Sequence, residues 1–151
     1  MKGSLNKYAN QIVKAKVFDN LKNFDELNQR LNIIEPLNNR TKKQTQGDAF
    51  EIFCEALLNT SKNFVDAIEI WPQGEAPNHV LKKCNLPDND RGYDGVYRTV
   101  YGYNTYQCKY RTNINDKLKW AGVGGLSTFA GVTHKINKMH LLSNTIYANK
   151  D

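Results

Sequence analysis

Apolar residues near the start of the chain recur at helical spacing, without the alternation that a strand shows. The two apolar faces consist of Leu5, Tyr8, Ile12 and Ala15, and of Phe24, Leu27, Leu31 and Ile34. Asn23 and Glu26 occupy capping-box positions before the second face, and Pro36 ends it. The pattern predicts two helices in a helical extension over residues 1–45. This segment either packs on the rest of the protein or contacts DNA through its basic residues, Lys14, Lys16, Lys22 and Arg30.

A longer apolar stripe predicts a helix over residues 46–59. Its members are Phe50, Phe53, Cys54, Leu57 and Leu58, a spacing typical of a helix that packs on a sheet. Glu51 lies about 100° around the helix from Phe50 and therefore borders the stripe. From that border its carboxylate would reach the edge of the sheet. Glu55 is interpreted as an ordinary solvent-facing acid.

The following residues predict one strand and a long connection. Residues 65–71 are apolar enough for a first strand, and residues 72–91 contain three prolines and several Asn and Asp residues. We expect one helical turn near residues 78–83 within this loop. Long loops in small domains are often functional, so this one is expected to border a site. Asp88 and Asp90 are interpreted as turn residues rather than metal ligands.

The run RGYDGVYRTVYGYNTYQCKYR, residues 91–111, predicts two strands joined by a tight turn near Val100-Tyr101-Gly102. Alternation along a strand puts Gln107 and Lys109 on one face, with Cys108 and Tyr110 on the other. The hairpin brings Asp94 to the level of Gln107 and Lys109, a place for a metal ion and a phosphate. The alternative is an exposed strand face with a turn at Asp94-Gly95.

The C-terminal part predicts a helix over residues 126–135 and a strand over 139–143, joined to the hairpin by a right-handed crossover. Gly122, Gly124 and Gly125 precede the helix and resemble a phosphate cradle. The segment lacks the GK[ST] of a P-loop, and GVGG follows no clear strand of a dinucleotide-binding unit. The sequence therefore argues against a nucleotide site there and leaves a DNA phosphate as the alternative.

Composition sets the frame for these motifs. The 151 residues, 40% hydrophobic, suffice for one core, and 21 basic against 15 acidic side chains give a net charge of +6. This balance favours a polyanionic partner without specifying it. We find no membrane-length apolar run and no signal peptide, so the expected location is cytoplasmic. Cys54, Cys84 and Cys108 lack zinc-site spacing and are expected to be reduced thiols.

The motifs together resemble the restriction-endonuclease-like PD-(D/E)xK nucleases, with the Mrr-type branch most similar. Asp94 with Gln107 and Lys109 is similar to the D...QxK signature of that branch, and the words YDGVY and YQCKYR are similar to its local pattern. QGDAFEIFCEALL resembles its first helix, with the acid at Glu51, and KMHLLSNT resembles its last core strand. The resemblance spans residues 46–145. It implies an α/β fold of αβββαβ order, with a mixed central sheet flanked by helices, over residues 46–151 after the helical extension.

The resemblance also implies a site. Glu51, Asp94, Gln107 and Lys109 are its catalytic residues. The implied ligands of Mg²⁺, for which Mn²⁺ is expected to substitute, are Asp94, Glu51 directly or through water, Gln107, and the backbone carbonyl of Cys108. Lys109 would hold the attacking water. The residues assigned to DNA binding are Tyr110, Arg111, Gly124, Gly125 and Ser127. Gln107 replaces the commoner acidic residue, so the site has one negative charge fewer.

We therefore expect a metal-dependent DNA endonuclease that hydrolyses phosphodiester bonds with an activated water, acting on DNA and not at a membrane. The alternative is a nuclease-like module that binds and targets DNA without efficient cleavage. An RNA-binding module is disfavoured because no aromatic run of the RRM kind is present. The resemblance leaves open a C-terminal helicase or motor domain in a longer protein, and a homodimer.

Overall fold

The computed structural model describes residues 6–87, 92–122, 125–133 and 136–145. The helices are α1 (Asn6–Lys14), α2 (Phe24–Ile33), α3 (Lys42–Thr60), α4 (Asn78–Cys84) and α5 (Ser127–Val132), with a short 3-10 turn at Lys62–Phe64. The strands are β1 (Glu69–Pro72), β2 (Gly95–Thr99), β3 (Gly102–Lys109) and β4 (Met139–Ser143).

The four strands form one mixed sheet in the order β1-β2-β3-β4. β1 and β3 both pair antiparallel with β2, and β4 pairs parallel with β3. Val100 and Tyr101 connect β2 to β3, with Thr99 facing Gly102 in the register. The predicted hairpin, its turn and the strand at residues 139–143 are confirmed. The protein is thus of the α/β class, with a four-stranded mixed sheet flanked by helices.

α3 packs on one face of this sheet and begins earlier than its apolar stripe predicts. Thr41 accepts a hydrogen bond from the backbone N–H of Gln44, whose side chain accepts one from the Thr41 N–H, a complete capping box. Arg40 makes a bidentate ion pair with Asp48 at 2.5 and 2.8 Å, which ties the entering chain to the first turns. The helix therefore starts at Lys42 instead of residue 46.

The first two helices confirm the predicted helical spacing. Asn23 accepts a hydrogen bond from the Glu26 N–H at the start of α2. Ile12, Leu27 and Leu31 are fully buried in the same apolar cluster as α3. The Arg30 guanidinium donates to three backbone carbonyls before α2 and pairs with Glu26. Its hydrogen bonds are therefore made within the protein, in place of the DNA contact that the sequence left open.

The cluster around α3, which we call the α3 cluster, also includes side chains from one face of the sheet: Tyr97, Tyr106 and Cys108, with Tyr110 at its margin. A second cluster on the opposite face joins Val96 of β2 to α4 and to Phe129 of α5. The predicted facing of Cys108 and Tyr110 toward the core is confirmed. Each face of the hairpin thus meets a different set of helices.

Several predicted boundaries differ from the structure. The first strand is shorter than residues 65–71, because residues 62–64 form a 3-10 turn and β1 starts only at Glu69. The helix predicted over 126–135 covers Ser127–Val132. The turn expected near 78–83 is the helix α4. Asp88 and Asp90 lie outside the described residues. Of the helices within the described ranges, none has both the length and the apolar character that crossing a membrane requires.

Candidate functional site

Asp94 lies immediately before β2, at the end of the hairpin away from its turn. Its backbone is held on both sides, because its N–H donates to the Tyr106 carbonyl at 2.9 Å and its carbonyl accepts from the Gln73 N–H at 2.8 Å. The Asp94 carboxylate accepts a hydrogen bond from the Cys108 N–H at 2.5 Å. The acid is therefore fixed against the peptide group that separates Gln107 from Lys109.

Gln107 lies on β3 between Tyr106 and Cys108, the two residues whose backbones bond to Asp94. Its side chain is only 4% exposed, and its amide nitrogen donates to the Gly92 carbonyl at 3.2 Å. Its amide oxygen has no hydrogen-bond partner, and neither has the buried hydroxyl of Thr105, two residues earlier on the same face. A buried acceptor without a donor is unfavourable. It marks a position that a cation or a donor group would fill.

Lys109 follows Gln107 on the same face of β3, at its end, and is half-buried. Its backbone carbonyl accepts from the Ser143 hydroxyl at 2.9 Å, which fixes the end of β3 to β4. Among the residues that the structure describes, no acidic group forms an ion pair with its ammonium. Lys109 thus places its side chain on the face of Gln107, at the end of β3 where the Cys108 N–H meets Asp94.

Cys108 presents its backbone and its side chain in different directions. The N–H and C=O of one strand residue face the same neighbouring strand, so the Cys108 carbonyl points to the edge where its N–H meets Asp94. Its thiol is buried in the α3 cluster. A hydrogen bond with Cys54, burial, and the charges of Cys54, Asp94 and Glu51 raise the pKa of this thiol well above its ordinary value. The thiol stays protonated and lies near both carboxylates.

Glu51 is half-buried on α3, on the Cys108 side of the sheet. Gln107 and Lys109 belong to the opposite face by strand alternation. The structure therefore brings together Asp94, Gln107, Lys109 and the Cys108 peptide group, and it sets Glu51 across the strand from the two side chains. Asp94, at the strand end, is near both sides.

The interpretation of Glu55 as solvent-facing is wrong. Its side chain is 5% exposed, one helical turn after Glu51. Burial first, and then the charge of Glu75, raise the pKa of the Glu55 carboxyl. Burial first, and then the charges of Cys108, Glu55 and Asp94, raise the pKa of the Tyr106 hydroxyl, so Glu55 is another acid at this end of the sheet. Its i, i+4 spacing from Glu51 was the signal in the sequence.

Tyr110 and Arg111 were assigned to DNA binding, and the structure gives both an internal role. The Tyr110 ring lies 5.5 Å from that of Phe50, and its hydroxyl donates to the Asn32 side chain at 2.8 Å. The backbone of Arg111 exchanges two hydrogen bonds with the Asn144 amide, and its guanidinium donates to the Tyr110 carbonyl. These residues tie the end of β3 to α2 and to the residue after β4.

The phosphate cradle expected before α5 is not open at the described residues. The Gly125 N–H donates to the Gly122 carbonyl and the Ser127 N–H to the Trp120 carbonyl, so both amides are already used. A Cβ at Gly125 would lie 2.6 Å from the Trp120 oxygen, which explains that glycine by close packing. Gly124 lies outside the described residues.

The oxygen atoms near Asp94 are of the type that binds a hard cation. The orphaned amide oxygen of Gln107, the Asp94 carboxylate and the outward Cys108 carbonyl are all oxygen ligands of the type that Mg²⁺ prefers. Within the described ranges, no group of three or more His, Cys, Asp or Glu residues is arranged to hold a metal. The set would bind through two carboxylates and neutral oxygens. Comparisons with protein-family models, with curated proteins and with solved structures found no match to this chain.

Proposed function

We propose that this protein is a Mg²⁺-dependent DNA endonuclease that hydrolyses phosphodiester bonds with an activated water. The observation that supports this most is the hydrogen bond from the Cys108 N–H to the Asp94 carboxylate. It holds an acid against the segment that carries a buried amide oxygen on one side and a lysine on the other. The net charge of +6 favours a polyanionic substrate.

The arrangement of elements supports the finer fold assignment, a restriction-endonuclease-like core. α3, three antiparallel strands, α5 and a final parallel strand follow in the order αβββαβ, apart from the short α4 in the β1–β2 connection. The candidate acid precedes β2 and the lysine ends β3, both at the end away from the hairpin turn, and the QxK segment is buried at Gln107 and Cys108.

The chain's own residues would divide the work as follows. Asp94, the Cys108 carbonyl and Gln107 would hold the metal, with Glu51 directly or through a water. Bound Mg²⁺ supplies positive charge that neutralises the phosphate and polarises water. Lys109 would position the attacking water and offset the charge that develops on the phosphate oxygens. Cys54 of α3 packs against Cys108 in the α3 cluster, on the face of β3 away from Gln107.

The test is plasmid nicking by the purified chain with Mg²⁺ or Mn²⁺. Asp94→Asn is the sharpest variant, because an Asn oxygen still accepts from the Cys108 N–H while the charge is lost. Asp94→Ala would also remove a hydrogen bond to a charged acceptor, worth about 1.5–3 kcal/mol of stability. We expect Asp94→Asn and Lys109→Ala to abolish nicking with unchanged circular dichroism, whereas exposed Lys119→Ala retains it. Cleavage at the wild-type rate by either variant would refute the site.

A second candidate function is a DNA-binding or targeting module without efficient cleavage. It is favoured by one observation, the neutral Gln107 at a position where a carboxylate would bind metal more strongly. This function predicts salt-sensitive DNA binding in EDTA and no nicking by the wild-type chain at any Mg²⁺ or Mn²⁺ concentration. Metal-dependent nicking that is lost in Asp94→Asn would exclude it.

A further inference from the structure

A small pocket lies at the hairpin-turn end of the sheet, away from Asp94 and Lys109. It has a volume of about 120 Å³, and its lining includes Phe64, Asp66, Tyr97, Tyr101, Asn104 and Lys138. Asn104 precedes Gln107 by three residues, about 10 Å along the strand, and points to the opposite face of the sheet. The pocket is therefore separate from the candidate catalytic end.

The floor of the pocket contains an unsatisfied polar group. Asn104 is 1% exposed, and its side-chain oxygen has no hydrogen-bond partner. The buried Tyr97 ring lies beside it and meets the His140 ring edge-on, with centroids 5.5 Å apart. Burial and the charge of Lys138 lower the pKa of His140, so the imidazole is neutral at neutral pH. The floor and wall of the pocket thus present uncharged rings and one amide oxygen, that of Asn104, to which no group donates a hydrogen bond.

The rim carries two large aromatic side chains in solvent. Tyr101 is 81% exposed and Phe64 is 66% exposed. Aromatic side chains in such positions stack on unpaired bases, and a primary amide pairs with the hydrogen-bonding edge of a base. Asp66 and Lys138 carry opposite charges at the rim, so a cationic ligand gains no net attraction there.

We propose that this pocket binds one unstacked nucleobase of a single-stranded or branched nucleic acid, with the base edge donating to the Asn104 oxygen and Tyr101 stacking on the ring. The inference rests on the proposed function for the identity of the ligand, and it deepens that function by naming the substrate class. In a paired duplex the bases are stacked and the pocket has nothing to receive.

Binding measured in EDTA tests the pocket without cleavage. The probe is a short fluorescently labelled single strand, compared by anisotropy with an all-abasic strand of the same length and with a duplex. The variants are Tyr101→Ala, Tyr101→Phe and the matched control Val100→Ala, which changes the neighbouring turn residue, itself 77% exposed. Tyr101 is a safe site for substitution because its side chain supports no core packing.

Stacking on one aromatic ring is worth enough for Tyr101→Ala to weaken single-strand binding by about fivefold or more. Tyr101→Phe and Val100→Ala should bind like the wild type. The effect of Tyr101→Ala should vanish with the abasic strand and with the duplex, because neither offers an unstacked base. Equal affinities of Tyr101→Ala and Val100→Ala for the single strand would overturn the proposal, as would a loss that persists with the abasic strand.

The nicking assay on the same preparations separates this inference from the proposed function. If Tyr101→Ala binds single strands normally while Asp94→Asn has lost nicking, the pocket assignment fails and the nuclease assignment remains. If the wild type does not nick DNA while Tyr101→Ala shows the base-dependent loss, the nuclease assignment fails and the base pocket remains.

Discussion

Gly95→Ala should destabilise the protein through one contact, that between Gly95 and Tyr106. The two residues are register partners on β2 and β3. A Cβ at Gly95 would lie 2.3 Å from Cε1, Cζ and the hydroxyl oxygen of Tyr106. Tyr106 is 2% exposed in the α3 cluster, so its ring has little room to retreat. Gly95 is not among the residues with positive φ, so the close ring alone requires the glycine.

Overpacking of a tight core costs about 1–3 kcal/mol. In a chain of this length that loss lowers the melting temperature by about 2–12 °C. Urea denaturation followed by circular dichroism measures the loss in the free energy of unfolding. Gly47→Ala is the matched control, since a Cβ there meets nothing within 4 Å inside α3. That change should stabilise the helix by about 0.5–1 kcal/mol.

The partner substitutions identify the contact. In a Tyr106→Phe background the clash with Cε1 and Cζ persists, so Gly95→Ala should cost as much as in the wild type. In a Tyr106→Leu background the ring is gone and most of the cost should disappear, a coupling that a double-mutant cycle measures directly. An unchanged urea midpoint for Gly95→Ala, or the same loss in the Leu background, would refute the contact between Gly95 and the Tyr106 ring as the reason for the glycine.

Two further predictions concern acids and ligands at the same end of the sheet. Because burial and the charge of Glu75 raise the pKa of Glu55 in the folded state, its ionisation opposes folding, and Glu55→Gln should be more stable than wild type at neutral pH. The difference between the urea midpoints should shrink as the pH falls through the raised pKa toward the ordinary value of 4.5, and it should be gone below that value. A difference that grows on acidification would contradict this. Gln107→Glu should reach half-maximal nicking at lower Mg²⁺ than wild type and Gln107→Ala at higher, whereas three superimposable titrations would show that Gln107 does not contact the metal.

Local patterns were sufficient for the hairpin because its signals are contained in the strands themselves. The alternation around Gln107 and Lys109 and the turn at Val100-Tyr101 depend on neighbouring residues only, and the structure confirms both. The start of α3 is encoded in the capping box of Thr41 and Gln44, whereas the apolar stripe covers only the later turns of the helix. Where a boundary depends on a cap, the polar residues before the stripe are the better guide.

Residue roles that depend on tertiary packing could not be predicted in this way. Phe53 was assigned to the sheet-facing stripe, but its ring lies near those of Phe18 and Phe24, because the N-terminal helices cover the other side of α3. The same packing accounts for Tyr110, whose hydroxyl reaches Asn32 across the fold. Helical spacing predicts that a side chain is buried, but it does not predict which neighbouring element covers it.

The position of Asp94 resolves an apparent conflict in the candidate site. Strand alternation separates Glu51, beside Cys108, from Gln107 and Lys109, so a site confined to one face would exclude the helix acid. Asp94 lies just before β2, and its carboxylate binds the Cys108 N–H in the plane of the sheet, where neither face is closed to it. Its charge acts on the thiol that Glu51 also affects, while its backbone N–H bonds to the carbonyl of Tyr106, the residue before Gln107. In the proposed site, a cation at this strand end with the Cys108 carbonyl as a ligand would lie between the acid of one face, Glu51, and the lysine of the other, Lys109.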